Sequence, residues 1–313
     1  MSESPVQELE SRIGAGGGTV LIDGATGTEL ERRGAGMDDS CWCGRATLSH
    51  GEILRGIHED YIRMGCDLVT ANTFASGRAM LEPAGLGDRF GEINRRAVEI
   101  ALEARDNAAA GRPVAVAGSM SHMVPIAAGA DRRDPKAVPD AARAEAMFAE
   151  MAGLLADAGV DLILMEMMSD PVLAVPAVRA AAATGLPVWV GFSTRPGEDG
   201  TLVSWHRPDL PIAEAIPPIM AAGGSVAGIM HTEMKDMDAA LAILKQAWDG
   251  PRMAYPESGH FEMPHWALGD LDPADFAARC LGWLDEGVQV VGGCFGVGVE
   301  HMTALAEAVQ GRR

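Results

Sequence analysis

The feature that most constrains the fold is a repeat of short apolar segments, each followed by a loop and then by a segment with helical periodicity. Eight such segments occur, at residues 19–25, 67–74, 113–120, 161–168, 187–194, 225–232, 252–258 and 288–296. Strands that are buried on both faces read as continuous apolar runs, so these segments predict a parallel sheet. Amphipathic stretches lie between them, at 92–109, 144–159, 237–248 and 273–287. Eight β/α units in one chain of this length predict a closed (β/α)₈ TIM barrel.

The domain organisation follows from what separates these units. The chain has 313 residues, of which 48% are hydrophobic, and no low-complexity linker or break in composition divides it. We therefore predict a single barrel domain at 19–313, preceded by an N-terminal extension or helix at 1–18. Residues 121–139 form a long loop after the third strand, on the face where barrel enzymes place their sites, and are a candidate lid.

Charge and cysteine content exclude several classes of protein. The formal net charge is −19 and no basic run occurs, which argues against a nucleic-acid partner. No basic segment followed by an apolar one opens the chain, and no uncharged run reaches the roughly 18 residues of a membrane helix. Five cysteines, an odd number, are scattered through the sequence, so free thiols or metal ligands are expected rather than disulfides. We expect a cytoplasmic protein without a membrane partner. The sequence leaves open whether the protein forms a homo-oligomer.

The carboxyl ends of the predicted strands carry polar residues. Barrel enzymes place their working groups at these ends. Ionisable groups are rarely buried without a partner, so a series of them at strand ends indicates a ligand site rather than a structural rim. In chain order these ends contain Asp23, Asn72, residues 119–122, Glu166, Ser193, His231, residues 257–260 and Cys294.

In this order the strand ends resemble those of the homocysteine S-methyltransferase family, from about residue 19 to the C-terminus. The similar segments are LIDGATGTELERRG at 21–34, the region of Trp42 followed by HEDYIRMGCDLVTANTF at 58–74, MEMM at 165–168, YPESG at 255–259 and GGCFG at 292–296. In the last two of these segments the family has the sequences YPNxG and GGCCG. The resemblance implies a methyltransferase that moves a methyl group from a small sulfonium or quaternary ammonium donor to a thiol such as homocysteine, as in methionine biosynthesis.

The resemblance also implies a zinc ion, which the family holds with one cysteine at the end of the sixth strand and an adjacent pair at the end of the eighth. Zinc lowers the pKa of the acceptor thiol and so produces a nucleophilic thiolate. Here Cys294 matches the first cysteine of the pair, Phe295 replaces the second, and His231 replaces the cysteine of the sixth strand. His260 follows the seventh strand and is a third candidate ligand. Cys294 and His231 are accordingly the candidate catalytic residues.

Two accounts of this altered ligand set stay open. In one, zinc remains, held by Cys294, His231 and His260 with one open position. In the other, the metal is lost, Phe295 fills its space, and the barrel is a divergent enzyme acting on a related amino acid or a non-catalytic binder of small molecules. Each residue also has a purely structural interpretation. Cys294 could be a small core residue, and His231 could be a core histidine held by hydrogen bonds.

Substrate contacts are also implied by the resemblance. Asp23 and Glu166 match acids that hold the ammonium group of an amino acid. The structural alternative is that they satisfy loop amides or cap the following helix. Asn72 is expected to contact the substrate directly or to support a residue that does. Aromatic rings attract sulfonium and quaternary ammonium groups, so we expect Trp42, Phe74 and Phe295 to shelter the methyl donor.

Overall fold

The computed structural model describes residues 4–14, 18–126, 133–262 and 265–310, and in it the eight apolar segments form one parallel barrel. Numbered within the barrel, the strands are β1 (Val20–Leu21), β2 (Leu68–Ala71), β3 (Ala115–Ser121), β4 (Leu162–Glu166), β5 (Val188–Phe192), β6 (Val226–Glu233), β7 (Arg252–Glu257) and β8 (Val290–Val291). Neighbours are hydrogen-bonded in the order β1-β8-β7-β6-β5-β4-β3-β2. A parallel bridge between Ile22 and Leu68 joins the two ends. The predicted (β/α)₈ barrel is therefore confirmed.

Helices follow the strands and surround the barrel. They are α1 (Pro5–Gly14), α2 (Thr26–Arg32), α3 (Ala46–Ser49), α4 (Gly51–Met64), α5 (Arg78–Leu81), α6 (Phe90–Ala108), α7 (Ala141–Ala158), α8 (Pro171–Ala182), α9 (Ile212–Met220), α10 (Met237–Ala247), α11 (Pro273–Asp285) and α12 (Val299–Ala308). Short 3₁₀ turns at Gly87–Arg89 and Met234–Asp236 precede α6 and α10. In the described part of the chain, no helix has the length and apolar character needed to cross a membrane.

Local sequence explains where several helices begin and end. The carboxylate of Asp272 accepts hydrogen bonds from the amides of Ala274 and Asp275, and Pro273 occupies the first turn of α11, where its missing N–H costs nothing. Asp140 caps α7 in the same way. Helix α7 then stops at Gly159, whose φ of +92° favours glycine. These signals are readable in the sequence.

Helix α1 covers the N-terminal end of the barrel. Val6, Leu9 and Ile13 are buried and belong to the same apolar cluster as the side chains inside the barrel. Arg12 lies 3.2 Å from Asp67, whose other carboxylate oxygen accepts from the amide of Leu21. Since this end is closed by packing, ligands reach the barrel from the opposite end.

Two antiparallel insertions extend the carboxyl end of the barrel. After β5 comes a three-stranded sheet formed by Thr194–Pro196, Leu202–Ser204 and Arg207–Pro211. After β7 comes a hairpin of His260–Glu262 and His265–Ala267. The sequence did not predict these strands, because they are short and lie in what the barrel pattern treats as loops. They bring additional side chains over the mouth of the barrel.

The closed barrel carries a prediction about unfolding. Because the strands share one interior and are hydrogen-bonded around the circle, loss of one unit exposes the core of its neighbours. Differential scanning calorimetry is expected to show a single transition whose calorimetric and van't Hoff enthalpies agree. Two resolved transitions would contradict the assignment of one domain to 19–313.

Candidate active site

Two adjoining cavities open at the carboxyl ends of the barrel strands. The acidic cavity, about 560 Å³ including space open to solvent, is lined among others by Asp23, Asn72, Glu166, Tyr255 and Cys294. The aromatic cavity, about 730 Å³ on the same measure, is lined among others by Arg133, Trp205, His206, His231 and Trp266. Both lie at the end of the barrel where barrel enzymes bind their substrates. Trp42, Phe74 and Phe295 line both cavities and form their common wall.

The acidic cavity contains two carboxyl groups and, among the described residues that line it, no cationic side chain to pair with them. Asp23 accepts hydrogen bonds from the amide and the hydroxyl of Thr70, at 2.7 and 2.9 Å. Glu166 accepts one from the hydroxyl of Ser119. Burial raises the pKa of both acids to about 7, and the charge of Asp23 contributes to the shift of Glu166. None of the described residues that line this cavity is Lys or Arg. A ligand's ammonium group would supply the missing positive charge.

Asn72 lines the acidic cavity and holds its wall in place. Its side-chain amide donates to the carbonyl of Cys43 and to the hydroxyl of Thr47, each at 3.1 Å, and its oxygen accepts from the thiol of Cys43 at 3.1 Å. These bonds fix the loop that carries Trp42. The sequence could not reveal this role, because the partners lie about 25 to 29 residues away along the chain.

Phe295 lies at the centre of an aromatic cluster. Its ring centroid is 4.8 Å from that of Trp266, 4.9 Å from those of Trp42 and His231, and 5.9 Å from that of Phe74. The stacked pair with Trp266 is nearly parallel, at 21°. Aromatic pairs at these separations stabilise one another beyond simple burial. The bulky residue after Cys294 thus forms part of the cavity wall.

The backbone of the cavity wall is strained at three positions. Among the described residues that are not glycine, Trp42, Met167 and His231 have positive φ angles of 44°, 55° and 42°, with Ala110 as the fourth case. Such conformations cost of order 1–3 kcal/mol each in non-glycine residues. All three line the aromatic cavity, where the surrounding packing sustains them. Concentrated strain of this kind is typical of functional sites.

The residues present do not fit the zinc site that the family resemblance implies. No three His, Cys, Asp or Glu side chains among residues 4–14, 18–126, 133–262 and 265–310 are arranged to hold a metal ion. Nδ1 of His231 lies 2.5 Å from a carboxylate oxygen of Glu257, although the two atoms are not aligned for a hydrogen bond. Burial, then the charges of Glu166 and Glu257, raises the pKa of the Cys294 thiol well above its ordinary value.

His260 is not brought to the other two candidate ligands. It is exposed, at the start of the hairpin after β7, and the described linings of the two cavities do not include it. The proposed set of Cys294, His231 and His260 therefore has no common centre, and no step of the chemistry is assigned to zinc below.

Several cavity residues were not singled out from the sequence. Trp205 lies in the three-stranded insertion, with its ring 4.6 Å from that of His231, and Trp266 lies in the hairpin. Arg133 comes from the predicted lid, of which residues 127–132 lie outside the described part. Tryptophans in loops that follow barrel strands could have been singled out from the sequence. The contact between Glu257 and His231 could not, because it depends on how β6 and β7 lie against each other.

Comparison with known proteins agrees with this architecture. A homocysteine methyltransferase of Escherichia coli, MmuM, superposes in its oxidised form with a TM-score of 0.78 at 24% identity, over 97% of this chain and 99% of that one. Its metallated form gives 0.76 at 23% identity, with the same coverage. At this level of identity the likeness establishes the fold.

Sequence relatives extend over most of the chain. The homocysteine S-methyltransferase of Escherichia coli K12 is 28% identical over 296 residues, covering 88% of this chain and 90% of the relative. The selenocysteine methyltransferase of Astragalus bisulcatus is 26% identical over 306 residues, covering 89% and 88%. The sequence profile described as homocysteine S-methyltransferase matches residues 20–309. The chain therefore belongs to the homocysteine S-methyltransferase family and is an S-methyltransferase.

Proposed function

We propose that the enzyme transfers a methyl group from a sulfonium or quaternary ammonium donor in the aromatic cavity to the thiol of an amino acid in the acidic cavity. With homocysteine as the acceptor the product is methionine. The relatives' names support an acceptor of this kind, either a thiol or its selenium analogue. All five cysteines are free, as expected for a protein of the reducing cytoplasm, where we place this reaction.

The observation that carries the proposal is the pair of cavities with one common wall. Carboxylates without a protein cation suit an ammonium group, and aromatic faces suit a soft cation that is poorly hydrated. Because Trp42, Phe74 and Phe295 belong to both cavities, ligands on either side of them lie next to each other. Holding both reactants in one geometry removes much of the entropic barrier of a reaction between two molecules.

The bonds that change define what the site must do. The acceptor sulfur forms a bond to the methyl carbon, the bond from that carbon to the donor's sulfur or nitrogen breaks, and the donor leaves as a neutral thioether or amine. The thiol proton must also be lost. We assign its acceptance to His231, which lines the aromatic cavity and contacts the common wall through Phe295, with ring centroids 4.9 Å apart.

A direct assay separates this reaction from its alternatives. Purified protein, freed of metal with a chelator, is incubated with homocysteine and a sulfonium or quaternary ammonium donor, and methionine is measured by mass spectrometry. Turnover that survives chelation is the expected result, since no step is assigned to zinc. Ligand binding without turnover would indicate a non-catalytic binder, and turnover restored only by added zinc would contradict the assignment to His231.

The raised pKa values of Asp23 and Glu166 predict how acceptor binding depends on pH. Each carboxyl must be charged to hold an ammonium group, and each is protonated in the free protein below about pH 7. Binding at lower pH must therefore expel protons, so affinity falls as pH decreases through 7, by up to about tenfold per unit for each group deprotonated. Isothermal titration of homocysteine between pH 5.5 and 8.5 measures this. A flat profile would remove both acids from ammonium binding.

A further inference from the structure

Trp266 packs against the barrel although the hairpin that carries it is not part of the barrel sheet. Its ring is stacked on that of Phe295, with centroids 4.8 Å apart and planes at 21°, and it lies 6.0 Å from the ring of His231. The hairpin strands His260–Glu262 and His265–Ala267 form a separate two-stranded sheet of three residue pairs. A hairpin of this size is marginally stable alone. Contacts outside the hairpin must therefore hold Trp266 over Phe295.

The edge of the indole ring is held from the barrel side. Nε1 of Trp266 donates to the carbonyl of Ser258 at 2.8 Å. Two glycines leave room for this edge: a Cβ at Gly259 would lie 2.8 Å from Nε1, and one at Gly296 would lie 3.0 Å from Nε1 and 1.8 Å from the carbonyl oxygen of Ser258. These contacts fix the ring edge, and the backbone of Trp266 needs a separate anchor.

The backbone of Trp266 is held by one carboxylate from α2. Oε2 of Glu31 accepts a hydrogen bond from the amide of Trp266 at 3.3 Å, and Oε1 lies 2.5 Å from Nδ1 of the neighbouring His265. The side chain of Glu31 is 23% exposed and that of His265 is 66% exposed, so this pair adds little to the overall stability. Its effect is geometric, because a single carboxylate binds two consecutive residues of the hairpin.

The same helix also contacts the other member of the stacked pair. The hydroxyl of Thr28 accepts a hydrogen bond from the amide of Gly296, the residue after Phe295, at 3.2 Å. Thr28 and Glu31 are three residues apart in α2 and therefore lie on one face of the helix. That face aligns Phe295 and Trp266 with each other.

We propose that Glu31 is a positioning residue of the aromatic cavity: it keeps Trp266 stacked on Phe295 and thereby sets how tightly the cavity binds an onium group. Among the described residues, Glu31 lines neither cavity, and Trp266 lines the aromatic cavity alone. The effect on an onium ligand rests on the proposed function, whereas the placement of Trp266 rests on its own contacts. Loss of Glu31 is therefore expected to affect one substrate much more than the other.

The placement of Trp266 is tested first, without ligand or turnover. The protein is labelled with ¹⁵N at the indole nitrogens of its six tryptophans, and Trp266→Leu identifies the signal of Trp266 in the NMR spectrum. Glu31→Ala is expected to shift this signal and to speed hydrogen exchange of its indole proton by about tenfold, because the strand that carries the ring loses two contacts. Glu31→Gln is expected to recover much of the unaltered behaviour, since an amide oxygen still accepts from the amide of Trp266.

The methyl-transfer assay then tests what this placement does. With the sulfonium or quaternary ammonium donor of that assay, Glu31→Ala is expected to raise the KM of the donor by about tenfold, the size of a cation–π contact, and to change the KM of homocysteine much less. In the Trp266→Leu background the same change is expected to have no further effect, because Glu31 acts through Trp266. A general loss of stability would not separate the two substrates in this way.

Two further variants serve as controls. Glu300→Ala is the matched control, because it removes another exposed carboxylate that contacts α2, through Arg32 at 3.2 Å rather than through the hairpin. His265→Ala removes half of the Glu31 contact from the other side, so an intermediate effect is expected, and it keeps the test informative if Glu31→Ala unfolds. Thermal melting checks the fold of each variant.

Three outcomes would overturn the inference: an unmoved Trp266 signal in Glu31→Ala, an equal change in Glu300→Ala, or equal rises in the KM of both substrates. Failure of the proposed function gives a different result. In that case the Trp266 signal still moves in Glu31→Ala and returns in Glu31→Gln, but no methyl group reaches homocysteine even in the unaltered protein.

Discussion

Changing His231 and Phe295 together to Cys is expected to create stoichiometric zinc binding in a protein that otherwise carries little. With Cys294, the double variant would present three thiolates from the ends of β6 and β8, the ligand number of a catalytic zinc site. The frame is in place: Cys294 donates its amide to the carbonyl of Pro256 at 2.8 Å, and Phe295 accepts from the amide of Ser258 at 2.8 Å. These bonds fix the end of β8 against the end of β7.

Elemental analysis of the unaltered protein and the variants, after dialysis against a weak chelator, measures this effect. About one zinc per chain is expected in the double variant, against a small fraction in the unaltered protein and in Phe295→Cys, which has only two neighbouring thiols. Zinc absent from the double variant would mean that the strand ends do not converge. Stoichiometric zinc in the unaltered protein, lost in His231→Ala, would show that the native donors do hold a metal.

Glu166→Gln is expected to weaken acceptor binding by about two to four powers of ten at pH 8. There the carboxyl, with a pKa raised to about 7 by burial, is largely charged, and removing one partner of a buried ion pair typically costs about 3 to 5 kcal/mol. Glutamine preserves the volume and can still accept a hydrogen bond from Ser119. Calorimetric titration with homocysteine gives the dissociation constant directly.

Ser119→Ala is the matched control for this change. It removes the hydroxyl that donates to Glu166 but leaves the carboxylate in the cavity, so a much smaller loss of affinity is expected, and Asp23→Asn should resemble Glu166→Gln. If Glu166→Gln leaves the dissociation constant unchanged while binding persists, the ammonium group lies elsewhere. Far-ultraviolet circular dichroism confirms that each variant is folded.

The barrel was predictable because its strands are buried on both faces and its helices carry their caps in sequence. Asp272 before Pro273 and Gly159 after α7 are local signals, and each depends on a few adjacent residues. The lengths of the strands were less predictable. The apolar segment at 288–296 forms a ladder only at Val290–Val291, because the chain then turns away through close-packed glycines.

The site was predictable in position but not in arrangement. Strand-end reasoning identified Asp23, Glu166 and Cys294, which line one cavity. It could not show that His231 lies against Glu257, because that contact depends on how β6 and β7 pair and on a positive φ at His231. The two tryptophans of the insertions were missed for a related reason: short antiparallel strands outside the barrel pattern determine where they lie.

The common wall of Trp42, Phe74 and Phe295 has a consequence for the order and strength of ligand binding. A rotamer that one ligand imposes on these rings alters the surface offered to the other, so the two affinities are linked. Linkage is reciprocal: whatever factor the donor applies to acceptor affinity, the acceptor applies to donor affinity. A ternary complex in this barrel would therefore be a cooperative assembly, with three aromatic side chains transmitting the coupling.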